Sequence, residues 1–195
     1  MFTHITIPEN IAAVVLDLDG TIYCKPQMAL YMFAKQWRHL PSLIAERRWR
    51  KAQRKALREG TQMPPMPVTE HWYRTSYLPS MVDVIAKHYK PVPWLQQLMD
   101  ECRQRQIPVL ILSDYEAVAD KLRVLGLQPE AFDAILASAD YGTLKPDTKL
   151  GEILATHISK NAAVNWQQVL FVGDRQDTDG QLAQALGAQF ILVQS

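Results

Sequence analysis

The 195-residue chain predicts an α/β fold, a Rossmann-like doubly wound parallel sheet core with an inserted helical cap domain. Three observations predict it. Short apolar runs at 14–16, 107–112, 134–137, 169–172 and 190–193 read as buried strands. Between them, stretches at 94–106, 115–125, 149–158 and 179–186 carry apolar residues at the 3.6-residue spacing of helices. Strands alternating with helices make a parallel sheet covered on both faces. Finally, about 24–90 interrupts this rhythm, reads as mainly helical, and ends in a cluster of prolines (Pro64, Pro65, Pro67, Pro79). The expected division is therefore 1–23 with 91–195 as core, and 24–90 as a cap inserted after the first strand. The length suits one compact domain with a modest insertion.

The first strand leads into Asp17-Leu18-Asp19-Gly20-Thr21. Side chains alternate along a strand, so two acids one residue apart point the same way. Gly20 then lets the backbone turn. Paired carboxylates at the carboxyl end of a buried strand lie where open α/β sheets bind ligands. They repel unless a cation or shared proton offsets the charge, and a divalent ion acting on phosphate chemistry is the simplest resolution.

The second strand opens at Pro108, where a missing amide donor is tolerated, and ends at Ser113-Asp114. A strand-end hydroxyl with neighbouring backbone amides can bind a phosphate oxygen, although a helix N-cap is the commoner use of such a pair. Lys145-Pro146-Asp147 precedes a helix, with Pro146 expected in its first turn. A lysine there can neutralise phosphate and carboxylate together. The fourth strand runs into Gly173-Asp174-Arg175-Gln176-Asp177-Thr178-Asp179, a second acidic cluster. Acids enrich helix N-termini for dipole reasons, but Mg²⁺ also favours such oxygen ligands. Asp17 and Asp174 could bind it directly, with Asp177 or Asp179 acting through water. Gly126 and Gly187 follow helices at positions suited to left-handed caps.

Taken in order, the Asp-x-Asp-Gly-Thr turn, the strand-end Ser113, Lys145-Pro146 and Gly173-Asp174 with a downstream acid resemble the haloacid dehalogenase-like hydrolase superfamily, of phosphatase type, with a helical cap between the first and second motifs. The resemblance implies that Asp17 is the nucleophile and forms an aspartyl phosphate. It implies that Asp19 is general acid and then base, with its backbone carbonyl on the metal. Thr21, Ser113, Asp114 and Lys145 would hold the phosphoryl group, Lys145 also steadying the nucleophile. Mg²⁺ would be held by Asp17, Asp19, Asp174 and Asp179. An acid at position 19 separates the phosphatases of this superfamily from its dehalogenases. A small phosphorylated metabolite is the implied substrate; a phosphotransferase or mutase of the same superfamily is the alternative.

Composition bounds the rest. The net charge of +1 favours no polyanionic partner for the whole chain. Cys24 and Cys102 are too few for a disulfide framework, and reduced thiols are expected. Neither a leader-like N-terminus nor a bilayer-length apolar run is evident, so a soluble, cytoplasmic protein is expected. One segment stands apart. Residues 47–58 hold seven basic side chains (Arg47, Arg48, Arg50, Lys51, Arg54, Lys55, Arg58) and no acid, with Trp49, Ala52, Ala56 and Leu57 as an apolar stripe. Such a run is ordinarily a solvated helix face. Its sharper reading is a surface that attracts an anion, which would also serve a non-catalytic anion- or nucleic-acid-binding protein. The aromatics Trp37, Trp72, Tyr73 and Tyr77 read as cap core, and His71 and His88 as packing or surface residues rather than metal ligands.

Overall fold

A computed structural model describes residues 4–62, 64–159 and 163–193; the outermost ends of the two expected core segments, 1–3 and 194–195, lie outside these. Five parallel strands, β1 (Ala13–Leu16), β2 (Val109–Ser113), β3 (Ala134–Ala137), β4 (Val169–Gly173) and β5 (Gln189–Leu192), form one sheet in the order β3-β2-β1-β4-β5. The chain builds outward from β1 to β3 and then returns to β1's other side for β4. Strand order therefore reverses beside β1, and the crevice at the strands' carboxyl ends there is the ligand position of open α/β sheets. Register fixes the site: Leu16 lies opposite Ile111 on one side and Val172 on the other.

Every residue of β1, β2 and β4 is buried, which is why these strands read as continuous apolar runs. Period two still sorts them. Val14, Leu16, Val109, Ile111, Leu170 and Val172 join the core on one face; Ala13, Val15, Leu110, Leu112, Val169 and Phe171 join it on the other. The first face is covered by α5 (Trp94–Gln104) through Leu95 and Leu98 and by α6 (Val118–Val124) through Leu122. The second is covered by α7 (Lys149–Ile158) through Leu150 and Leu154 and by α8 (Gln181–Leu186) through Leu182.

Between β1 and α5 stand α1 (Met28–Gln36), α2 (Leu40–Glu59), α3 (Glu70–Trp72) and α4 (Leu78–His88), the last two joined through a π-helical turn at Tyr73–Tyr77. Their buried residues, among them Met32, Leu43, Tyr77, Met81 and Ile85, continue the cluster on the first sheet face. The two connecting segments are tied together where they leave and re-enter: the Val92 amide donates to the Ile22 carbonyl at 2.8 Å and the Tyr89 hydroxyl to the Pro26 carbonyl at 2.6 Å.

Three local expectations change. Pro146 opens no helix: it follows a cis peptide bond, and α7 begins only at Lys149. The expected helix over 115–125 starts at Val118, because Ala117 turns left-handed and leaves Asp114 to Glu116 as a loop over the strand ends. The stripe on α2 is out of phase: Ala52 is exposed, and the inward face is Leu43, Glu46, Arg50, Gln53 and Ala56. Because Leu110 is fully enclosed in the second core layer, Leu110→Ala should destabilise the chain by about 2–5 kcal/mol. Urea unfolding with an unchanged m-value would register this; a loss under ~1 kcal/mol would mean that the layer is loosely packed.

Candidate active site

Asp17 is the first residue beyond β1 and Asp174 the first beyond β4, so adjacent strands bring two acids to the crevice. Two glycines permit the approach. Gly20 has φ +108°, and a Cβ there would collide with the Asp174 carboxylate and the Lys25 ammonium. A Cβ on Gly173 would lie 2.5 Å from the Asp179 side chain, which a π-helical turn at Gln176–Gly180 folds back toward the sheet.

Lys145 sits at the centre. Its Nζ is 2.6 Å from Asp17 Oδ1, 2.6 Å from Asp179 Oδ1 and 3.0 Å from the Leu112 carbonyl. Burial alone would favour the neutral amine, but Asp17 and Asp179 more than offset it and keep Lys145 protonated. Asp114 holds this lysine's loop: its Oδ1 accepts from the Lys145 amide and from Ser138 Oγ.

Asp19 points elsewhere. Its carboxylate accepts both contacts of the fully buried Lys121 ammonium at 2.9 Å, with the Tyr23 hydroxyl at 2.5 Å and Ser113 Oγ at 2.9 Å. Burial pushes this carboxyl up, yet Lys121 and the Tyr23 hydroxyl outweigh it and bring its pKa down to about 2. Lys121 was not singled out in the sequence, although a signal existed: it lies three residues after Val118 and four before Leu125, on the helix face that must turn inward.

Of the expected phosphate ligands, Lys145 and Asp114 line the crevice, but Thr21 and Ser113 do not. Thr21 Oγ1 donates to Asp17 Oδ2 at 2.8 Å, and Ser113 Oγ to Asp19; both hydroxyls are buried supports for the acids. The carboxylate of Asp114 faces Arg54 at 2.9 Å, so it orients cations instead of meeting an anion. Among the described residues, oxygens of Asp17, Asp174 and Asp179 lie within 4.8 Å of one another, whereas Asp177 pairs with Arg175 away from them. The Asp19 backbone carbonyl joins this group through the Lys25 ammonium, which touches both it and Asp174. Burial raises the Asp174 carboxyl despite Lys25, and burial with Asp17 beside it raises that of Asp179 to about 6 despite Lys145. Crowded hard oxygens whose ionisation is resisted are a donor set that a magnesium ion fits.

The crevice, about 210 Å³, is roofed by α2. Arg47, Arg50 and Arg54 line it, one helical face of the basic run, while Arg48, Lys51, Lys55 and Arg58 remain exposed. The solvated-face expectation thus holds for most of the run, Arg50 being buried and Arg54 partly so. Arg50 is held by Glu46, the Asp114 carbonyl (3.0 Å) and the Tyr73 hydroxyl (2.8 Å), with the Tyr115 ring 3.9 Å away. Arg47 has no acidic partner among the described residues.

The chain is thus a doubly wound α/β protein whose first and fourth strands end in carboxylates around a buried lysine, at the ligand position of such sheets. The model of the haloacid dehalogenase-like hydrolases matches residues 14–193, and the chain belongs to that family. Solved structures agree on the fold. CbbY from Rhodobacter sphaeroides, in complex with phosphate, superposes with a TM-score of 0.69 at 17% identity, covering 95% of this chain and 87% of its own. The Bacillus subtilis protein YfnB, bound to magnesium, gives 0.64 at 17% identity, covering 94% and 88%. A β-phosphoglucomutase from Clostridium difficile gives 0.64 at 18%, covering 95% and 85%. No curated protein sequence matches the chain. Among the described residues, no helix is long and apolar enough to cross a membrane.

The Asp179 carboxyl, raised to about 6, has a signed consequence. A raised carboxyl favours the folded state below its unfolded value, and that contribution is lost as pH rises through about 6. A cation bound by the ionised acids restores it. Magnesium should therefore raise Tm more at about pH 7.5 than at about pH 5, and Asp179→Asn should flatten the difference. Thermal scans with and without magnesium test this; equal shifts at both pH values would contradict it.

Proposed function

We propose that the chain is a magnesium-dependent phosphomonoester hydrolase that acts on a small phosphorylated metabolite through an aspartyl-phosphate intermediate. The observation that carries this reading is the Asp17 carboxylate: Lys145 and Thr21 hold its two oxygens, and it lies at the floor of a crevice ringed by cap arginines. A carboxylate so fixed, with positive charge on the solvent side, suits attack on phosphorus.

Asp17, Asp174, the Asp19 carbonyl and, beside them, Asp179 would hold magnesium; when bound it supplies positive charge to the phosphoryl oxygens and leaves fewer uncompensated acids. YfnB's magnesium supports that assignment by fold. An Asp17 oxygen forms the new bond to phosphorus while the ester P–O bond breaks. Lys145 and Arg47 stabilise the charge on the transferring group. The departing oxygen takes a proton from Asp19, which must turn out of its contacts with Lys121, Tyr23 and Ser113 and be protonated first. Asp19 then removes a proton from the water that cleaves the aspartyl phosphate and frees phosphate. Thr21, Ser113 and Lys121 position these acids without meeting substrate.

Lys25, Arg47, Arg50, Arg54 and Arg175 share one crevice with the acids, which supports a role in this site for one face of the basic segment. Phosphate release from 4-nitrophenyl phosphate should need magnesium, stop with EDTA, and fall at least about a thousandfold in Asp17→Asn. Asp19→Asn should lose about a hundredfold more on an alkyl phosphate, whose alkoxide needs a proton, than on 4-nitrophenyl phosphate. Full activity in Asp17→Asn would refute the assignment.

A further inference from the structure

A second cavity, about 320 Å³, opens directly from the phosphate crevice. The two share Asp19, Lys25, Arg47 and Tyr115, so an ester whose phosphorus faces Asp17 would direct its alcohol part into this space. Its lining differs sharply from that of the crevice. Met28, Met32 and Phe33 come from α1, Leu43 and Ile44 from α2, and Met81 from α4. Among the polar residues that line it, the Tyr23 hydroxyl is committed to Asp19, and Lys25 to Asp174 and the Asp19 carbonyl, while Arg47, Tyr77 and Tyr115 complete the lining.

We propose that this cavity is the leaving-group site, and that the substrate is the phosphate monoester of an apolar alkyl or aryl alcohol instead of a sugar phosphate or nucleotide. The proposal rests on the reading of the neighbouring crevice as the phosphate site. Each hydroxyl of a sugar loses water on entry and needs a protein partner in return. The wall of methionine, leucine, isoleucine and phenylalanine offers none, and Arg47, Tyr77 and Tyr115 are too few to serve every hydroxyl of a sugar. The same wall gains from every methylene it covers, and its three methionines adapt to irregular shapes. Arg47, without an acidic partner among the described residues and common to both spaces, stands at the neck between them, where the ester phosphate joins the apolar part. Phe33 and Ile44, 47% and 42% exposed, form an outer rim that an apolar ligand would cover. The volume lies at the low end of small-molecule sites, enough for a chain of about six carbons or a fused ring.

The test uses the full chain with magnesium. Methyl-, butyl- and hexylphosphonate are titrated calorimetrically, and kcat/KM is measured for the matching phosphate esters beside glucose 6-phosphate and a nucleoside monophosphate. Phosphonate affinity should rise about three- to fourfold per methylene, and the ester series should follow it. Ile44→Glu and Phe33→Ser, both at exposed rim positions, should each cut the hexyl-to-methyl affinity ratio about tenfold. Flat affinity along the series, as when a second copy of the chain covers the rim, or preference for the sugar ester would overturn the proposal. The two readings fail separately. Hydrolysis with a flat series removes the apolar substrate and leaves the hydrolase. A rising series without turnover of any ester removes the hydrolase and leaves only an apolar binding cavity beside an anion site.

Discussion

The Lys145 ammonium, wedged between Asp17 and Asp179, is the interaction on which the site depends. Three acids drawn within 4.8 Å of one another in a buried crevice would drive each other to protonate or move apart. A cation with contacts to two of them, itself too buried to be exchanged for solvent, draws Asp17 and Asp179 together and keeps Asp17 aimed. The price is a fold that must deliver one lysine to one point. It does so with backbone: the Leu112 carbonyl at the end of β2 accepts from the ammonium, and Asp114, two residues on, grips the Lys145 amide. The sheet order puts β1 between β2 and β4, so the lysine's anchor and both of its acids arrive from adjacent strand ends.

The same logic explains what could be read from the residues and what could not. Strands buried on both faces appear as unbroken apolar runs, and the helices between them show a clear period, so the layered core was legible. Asp17 and Asp174 stood out because each directly follows a strand, and Lys145 only through its company with them; the three meet in one crevice. Side-chain direction beyond a strand end was not legible. Whether Thr21 and Ser113 open toward a ligand or turn back to an acid depends on a few backbone angles in the turn, and both turn back. The phase of α2 was misjudged for a related reason. Its inward face is polar, with Glu46, Arg50 and Gln53 buried there, and an apolar-stripe criterion passes over a helix that packs through an ion pair. Lys121 was hidden by the ordinary expectation that a helix lysine is solvated.

The helices inserted after β1 do more than cover the sheet. Arg54 reaches Asp114 and Arg50 reaches that residue's carbonyl, so α2 is fastened to the loop that grips the Lys145 amide. Access to the crevice and alignment of its floor are thereby coupled. The Arg50 guanidinium is dressed on several sides by Glu46, Tyr73 and Tyr115, which lets burial proceed without an isolated charge. Charge complementarity holds this lid over the acids, while apolar packing from α1 and α4 shapes what lies beyond them.

The central claim is that the Asp17 carboxylate becomes covalently phosphorylated. Rapid denaturing quench during turnover, followed by borohydride reduction and peptide mass spectrometry, reads this directly, since an aspartyl phosphate is reduced to homoserine. Homoserine at position 17 alone, dependent on substrate and magnesium, is the expected result. Sustained phosphate release with aspartate unchanged at position 17, or with homoserine at position 19 or 174 instead, would contradict it.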